Sequence, residues 1–259
     1  QAQPTDKLAA VRVKELKTPI RAISGISIES VDGSYIDGVT ISNITMEDVR
    51  CPIFIRLANR GAGKQKSAIP TPGTIRNVVI SNVTARNAWY ASSITAIPGS
   101  YVENVILSNI IVTMKGSSDM ALPEKAVDEK IDAYPDAHMW RDLPASAFYV
   151  RHAKNLDFSN IRCNLDATDL RPLFIFDDVK DVRANGISSD DNISGKAAIR
   201  LQRVENARFS DINIKGTPKY FFELRGQGNT EIHLSDTDPS AVFSESACSV
   251  VPQTSFIIR

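Results

Sequence analysis

The sequence predicts an all-β fold, a right-handed parallel β-helix of about seven coils. Three observations predict it. A nine-residue pattern recurs along the chain. A second strand pattern alternates with it. Neither a helical 3.6-residue period nor a leucine-rich spacing runs through the repeats.

The order of elements follows from these patterns. Residues 1–21 read as an N-terminal cap. Thr5 to Leu16 predicts a short amphipathic helix with Leu8, Val11 and Leu16 near one face. Such a helix would cover the open edge of the stack. Residues 22–238 carry the coils, interrupted by insertions at 59–73 and 115–144. Residues 239–259 lack the repeat and read as a tail folding back over the last coil. The whole of 1–259 is expected to form one domain.

The first pattern is apolar, two polar, apolar, any, apolar, Ser, Asn, apolar. It is clearest at Ile36 to Ile44, Ile75 to Val83 and Val102 to Ile110. Weaker copies run from Lys154 to Ile161 and from Val204 to Ile212. A degenerate copy spans Val182 to Ile187, and a last one Glu231 to Ser235. The alternation Val39-Thr40-Ile41 is a strand signal, and the Ser-Asn pair then turns the chain. Successive pairs lie 39, 27 and 51 residues apart, and 51 more separate the last from Ser210-Asp211. The 27 is a bare coil. The first 51 is one coil plus the insertion 115–144, and the second is two coils. Asn43, Asn82, Asn109 and Asn160 therefore stack, and a ladder of carboxamides would satisfy amides buried at the turn. Asn43, Asn82 and Asn192 also head glycosylation sequons; the first two fall in the ladder.

The second pattern has seven members. They begin at Ile26, Ile53, Ile94, Phe148, Leu173, Ala197 and Tyr220. Its outward column reads Glu29, Arg56, Ile97, Arg151, Phe176 and Arg200. His152 follows Arg151, and Asp177-Asp178 follow Phe176. Stacked arginines suit carboxylates, which the guanidinium fork binds through two hydrogen bonds. Arg56, Arg151 and His152 are thus candidate substrate-binding residues for an acidic polysaccharide or oligosaccharide. Solvated cross-strand ion pairs are the alternative. Tyr134 and Trp140, in the second insertion, can stack on a sugar ring or pack the loop onto the sheet.

Glycoside hydrolysis needs two carboxylates at a set separation. Glu29 and Asp32 are the catalytic candidates close enough to act together. Asp177 lies several coils from Glu29, too far at about 4.8 Å per strand. The catalytic residues stay unassigned on this reading.

Composition narrows the classes. Lys+Arg and Asp+Glu are 30 each, which argues against nucleic acid as a partner. No apolar run approaches the roughly 20 residues of a membrane span. Cys51, Cys163 and Cys248 form neither a metal pattern nor a disulfide framework, and read as buried small apolar residues. No metal or cofactor is expected. Gln1-Ala2-Gln3-Pro4 reads as the end left by a removed leader, so the expected location is secreted or periplasmic.

Several stretches resemble the C-terminal part of glycoside hydrolase family 28, the polygalacturonase-like pectinases. They are Gly25 to Gly33, Val39 to Met46, Pro52 to Leu57, Pro144 to His152 and Asp169 to Asp178. The resemblance is nearest to the bacterial branch acting on pectic side chains, and it covers roughly residues 22–215. It implies a pectin-lyase-like β-helix and activity on polygalacturonan or rhamnogalacturonan. The family's Asn-Thr-Asp, Asp-Asp and Gly-His-Gly segments find no match, and its Arg-Ile-Lys segment falls on Ser27-Ile28-Glu29. No catalytic aspartate is carried over. Four readings stay open: a pectin-directed hydrolase, a non-catalytic binder of acidic glycans, a structural module and, behind these, a polysaccharide lyase, for which the sequence shows no Ca²⁺ carboxylate cluster. A partner chain or self-association would cover the N-terminal end.

Overall fold

The computed structural model describes residues 22–61, 72–190, 192–236 and 256–258. Among these the protein is all-β, with one parallel sheet of many strands. The strands are β1 (Ser24–Ser30), β2 (Tyr35–Glu47), β3 (Cys51–Leu57), β4 (Thr74–Ala88), β5 (Ser92–Thr95) and β6 (Val102–Met114). They continue with β7 (Phe148–Leu165), β8 (Phe174–Ser189), β9 (Ala197–Ile214), β10 (Tyr220–Arg225), β11 (Thr230–Ser235) and β12 (Phe256–Ile258). Two 3-10 turns, Leu122–Glu124 and Ala137–Met139, are the helical elements among the described residues. The helix predicted at Thr5 to Leu16 lies outside them, as do residues 62–71 and most of the tail. The tail's described end, Phe256–Ile258, pairs in parallel with β11.

Both predicted patterns become strands. The second gives β1, β3, β5 and β10, together with the first residues of β7, β8 and β9. The first gives β2, β4, β6 and β11, together with the later residues of β7 to β9. The two therefore merge into strands of 16 to 18 residues in β7, β8 and β9. Each Ser-Asn pair meets the next in register, Ser42 on Ser81, Ser81 on Ser108 and Ser108 on Ser159. The insertion 115–144 thus interrupts a single step. Ser159 reaches Ser210 through Asn185, so the last 51 residues are two steps.

Residues with positive φ bend these long strands. His152, Asn155 and Asn160 in β7 have φ of 54°, 55° and 52°. Asp178 and Asp181 follow in β8, and Arg203, Asn206 and Asp211 in β9. Asn and Asp tolerate this left-handed region better than other L-residues, which explains their recurrence. The predicted ladder is present. Asn82 donates to Asn43 at 3.0 Å, Asn109 to Asn82 at 3.0 Å and Asn160 to Asn109 at 2.8 Å. It is exposed rather than buried, because a left-handed residue turns its side chain out of the bend. A second ladder stands beside it. Asn77 donates to Asp37 at 2.6 Å, Asn104 to Asn77 at 2.9 Å and Asn155 to Asn104 at 3.0 Å.

The core lies behind the inward columns. Ile80, Leu107, Phe158, Ala184, Phe209 and Leu234 form one, and Val83, Ile110, Ile161, Ile187 and Ile212 another. Each large side chain contributes about 1.5–3 kcal/mol on leaving water. Phe148 stacks on Phe174 at 5.1 Å, and Phe158 meets both edge-on at 5.9 Å. Cys51 and Cys163 are buried, as expected of small apolar residues, and Cys248 lies outside the described residues.

Candidate functional site

The outward column of the second strand series differs from the sequence alignment. It runs Glu29, Arg56, Thr95, Arg151, Asp177, Gln202 and Arg225. Thr95, Asp177 and Gln202 stand where Ile97, Phe176 and Arg200 were expected. Arg200 sits one outward position earlier, level with Ile175 and Glu223.

This face is covered by the insertion 115–144. Trp140, Ala137 and Leu143 pack on Phe54, Tyr149 and Ile175 in a separate apolar cluster. The arginines then hold the insertion by its backbone. Arg56 is 1% exposed and donates to the carbonyls of Ala96, Glu129 and Lys130 at 2.8, 2.6 and 3.1 Å. Arg151 donates to Val127 O at 2.8 Å. Arg200 donates to Pro123 O at 2.6 Å. Backbone carbonyls of the chain itself thus occupy the positions expected for substrate carboxylates.

The two aromatic candidates separate. Trp140 is buried, its Nε1 donates to Asp128 O at 2.9 Å, and Arg56 lies 5.1 Å from its ring centroid. It packs the insertion onto the sheet. Tyr134 is exposed, with Arg60 5.5 Å from its ring. Arg60 is also paired with Asp32. Glu29 accepts from the Ser27 hydroxyl on β1. Glu29 and Asp177 share the column four strands apart, roughly 19 Å at the spacing of paired strands.

Arg151 and His152 are brought into a charged corner. His152 is buried, with Nδ1 2.5 Å from Asp178 and Nε2 3.2 Å from Glu129 of the insertion. Arg151 pairs with Glu129 at 2.5 Å and with Asp177 at 3.3 Å. Arg203 pairs with Asp177 from the other side. The Tyr101 hydroxyl donates to Asp178 at 3.3 Å. His152, Asp178 and Arg203 occupy successive left-handed bends, an arrangement disfavoured for arginine and stabilised here by its partners. Glu129, Arg203 and Tyr101 were missed in the sequence. Glu129 lies in an insertion outside the repeat, so no periodicity marked it.

No family model, curated protein or solved structure matches the chain.

The chemistry of the corner rests on its own geometry. Burial raises the Asp177 carboxyl above the usual carboxylate range, while Arg151 and Arg203 oppose that shift. Glu129 and Asp178 stand on opposite sides of the His152 ring. The imidazole fills the space between them, so a water cannot sit there as it does between the carboxylates of an inverting glycosidase. Asp177 is the carboxyl that remains outside that sandwich. Among the described residues, no helix is long and apolar enough to cross a membrane.

Proposed function

We propose that this chain is a right-handed parallel β-helix of about seven coils. Its proposed role is to act on an acidic, pectin-like polysaccharide at the corner formed by Glu129, Arg151, His152, Asp177 and Asp178. The reading joins the resemblance to the polygalacturonase-like hydrolases to one observation. Three carboxylates, two arginines and a histidine converge where the insertion meets the sheet. On this reading Arg203, the most exposed of the group, receives a uronate carboxylate, and Asp177 donates the proton to the leaving oxygen. A secreted or periplasmic location accords with such a substrate.

The test is product release from polygalacturonate and from rhamnogalacturonan. Wild-type protein is expected to generate new reducing ends. Asp177→Asn is expected to lose at least about 100-fold of that rate, the usual worth of a positioned acid. Absence of product from both polymers, with intact folding, removes the hydrolase reading.

The second reading is a non-catalytic binder of acidic glycans. It is favoured by the engagement of each corner carboxylate, Glu129 and Asp177 by arginines and Asp178 by the His152 ring, which suits a fixed surface better than a reacting pair. Retention on a polygalacturonate gel without turnover would support it.

A further inference from the structure

Around the next bend from His152, the strands carry a different outward column. It runs Thr40, Val79, Ile106, Asp157, Arg183, Arg208 and His233, one residue per strand. Its stretch from Val79 to Arg208, with the second amide ladder, lines a groove of about 940 Å³. A smaller depression of about 330 Å³ continues it towards His233. No segment of the described chain covers it, in contrast to the face under the insertion.

The groove changes character along its length. Val79 and Ile106 form an apolar end, and Ile106 is 44% exposed. Asp157 follows. Arg183 and Arg208 come next, exposed and in register on adjacent strands. Neither guanidinium has a hydrogen bond or ion pair among the described residues. Adjacent strands lie about 4.8 Å apart, so one carboxylate fits between the two guanidiniums. The flanking amides add a periodic array. Each carboxamide has two N–H groups and two acceptor lone pairs. The ladder bond from Asn155 to Asn104 takes one donor and one acceptor, as does that from Asn104 to Asn77. The remainder are available to hydroxyl groups at the strand spacing, which is close to the repeat of a pyranose in a linear chain.

Charge decides which glycan fits. Asp157 and Asp181 line the groove beside the arginines and disfavour a carboxylate on every sugar. The apolar end accepts a neutral ring face but offers a carboxylate nothing. We propose that this groove binds a linear glycan in which uronates alternate with neutral sugars. The carboxylate sits between Arg183 and Arg208, and a neutral sugar lies over Ile106 and Val79. The site is separate from the His152 corner and does not require that corner to turn over substrate.

Calorimetry with three hexasaccharides tests this: hyaluronan (alternating), oligogalacturonate (a uronate at every position) and maltohexaose (none). Hyaluronan hexasaccharide is expected to bind Arg203→Ala protein, whose corner lacks its proposed uronate contact, at least about tenfold more tightly than either comparator. Arg183→Ala/Arg208→Ala should weaken that binding by at least about tenfold, the loss expected for charge-assisted hydrogen bonds. Ile106→Asp should weaken it too, and Asp157→Asn should raise the affinity for oligogalacturonate. These side chains are at the surface, and an unchanged melting temperature verifies the fold. Equal or tighter binding of oligogalacturonate that Arg183→Ala/Arg208→Ala weakens, and that is therefore in the groove, overturns the proposal. So does an unaffected double arginine variant, or no binding of any probe. Asp177→Asn should keep groove binding whole, so failure at the corner and failure in the groove are read separately.

Discussion

Arg200 and Glu223 face each other across β9 and β10, with Nε and Oε2 2.7 Å apart and both side chains about 5% exposed. Lys196 and Arg225 reach the other carboxylate oxygen at 2.7 and 3.0 Å. Burial alone would raise the Glu223 carboxyl. Hydrogen bonds from Lys196 and Arg225 and the charge of Arg200 outweigh it and bring the pKa to about 2. A depressed carboxyl stabilises the fold fully above its unfolded pKa, and the contribution is lost as pH falls through the folded one. Melting temperature should therefore drop between about pH 4.5 and pH 2. Glu223→Gln should flatten that slope and lower stability at pH 7 by about 3 kcal/mol, since it takes the charged partner at 2.7 Å from the buried Arg200 guanidinium. Equal pH profiles for the two proteins would refute the assignment.

Arg56 makes a second test. Burial pulls its pKa down to about 10, so it stays charged at neutral pH while holding Glu129 and Lys130 by their carbonyls. Arg56→Ala removes these bonds and a surface under Trp140. A loss of about 2–4 kcal/mol is expected, in the range of buried charge and packing deletions. Hydrogen exchange should rise selectively across residues 127–131, where the freed carbonyls lie. Unchanged exchange there would mean that the apolar cluster alone holds the insertion.

The first amide ladder stops at Gly186, which occupies the next bend with φ of 69°. A Cβ built there comes no nearer than 3.4 Å to Asn160, an ordinary contact. Asn tolerates the left-handed region, so Gly186→Asn should extend the ladder and stabilise by about 0.5–1 kcal/mol. Asn109→Ala should do the reverse. It breaks two ladder bonds and leaves alanine at φ of 54°, for a loss of about 1–2 kcal/mol. Urea denaturation midpoints measure both.

The buried thiols supply a simple chemical check. Burial pushes the Cys51 thiol up to about 12 and raises Cys163 likewise. The thiolate is the reactive form, so neither should label with iodoacetamide at pH 8 in the folded protein. Both should label after denaturation, as peptide mass mapping would reveal. Rapid native labelling of Cys163 would contradict its place in the core.

Much of the strand arrangement was legible because a stacked strand must repeat its inward pattern. Ser42, Ser81, Ser108 and Ser159 marked the register without error. The second ladder carried the same signal, since Asn77, Asn104 and Asn155 share the 27- and 51-residue spacings of the first. The outward arginine column was harder. β5 has only four residues against seven in β1 and β3, and no inward motif fixes its phase, so Ile97 was aligned where Thr95 belongs. The fate of the arginines was not legible at all. Their partners are main-chain carbonyls, which every residue has. Arg56 reaches Glu129 across 73 positions. Arg183 and Arg208 fall in weak copies of the repeat, where a polar outward residue has the ordinary pattern of solvated surface.

The grip on the insertion has a mechanical consequence. Paired strands that touch only their neighbours can peel away singly under load. Here one segment is fastened to β3 through Arg56, to β7 through Arg151, to β9 through Arg200 and to β10 through Arg225, which clasps Glu124 at 2.7 Å. That segment works as a splint along one flank. A pull on the two ends of the molecule would have to shear these fastenings together before a strand in the middle could detach. The span from β3 to β10 should yield in one rupture rather than as a staircase.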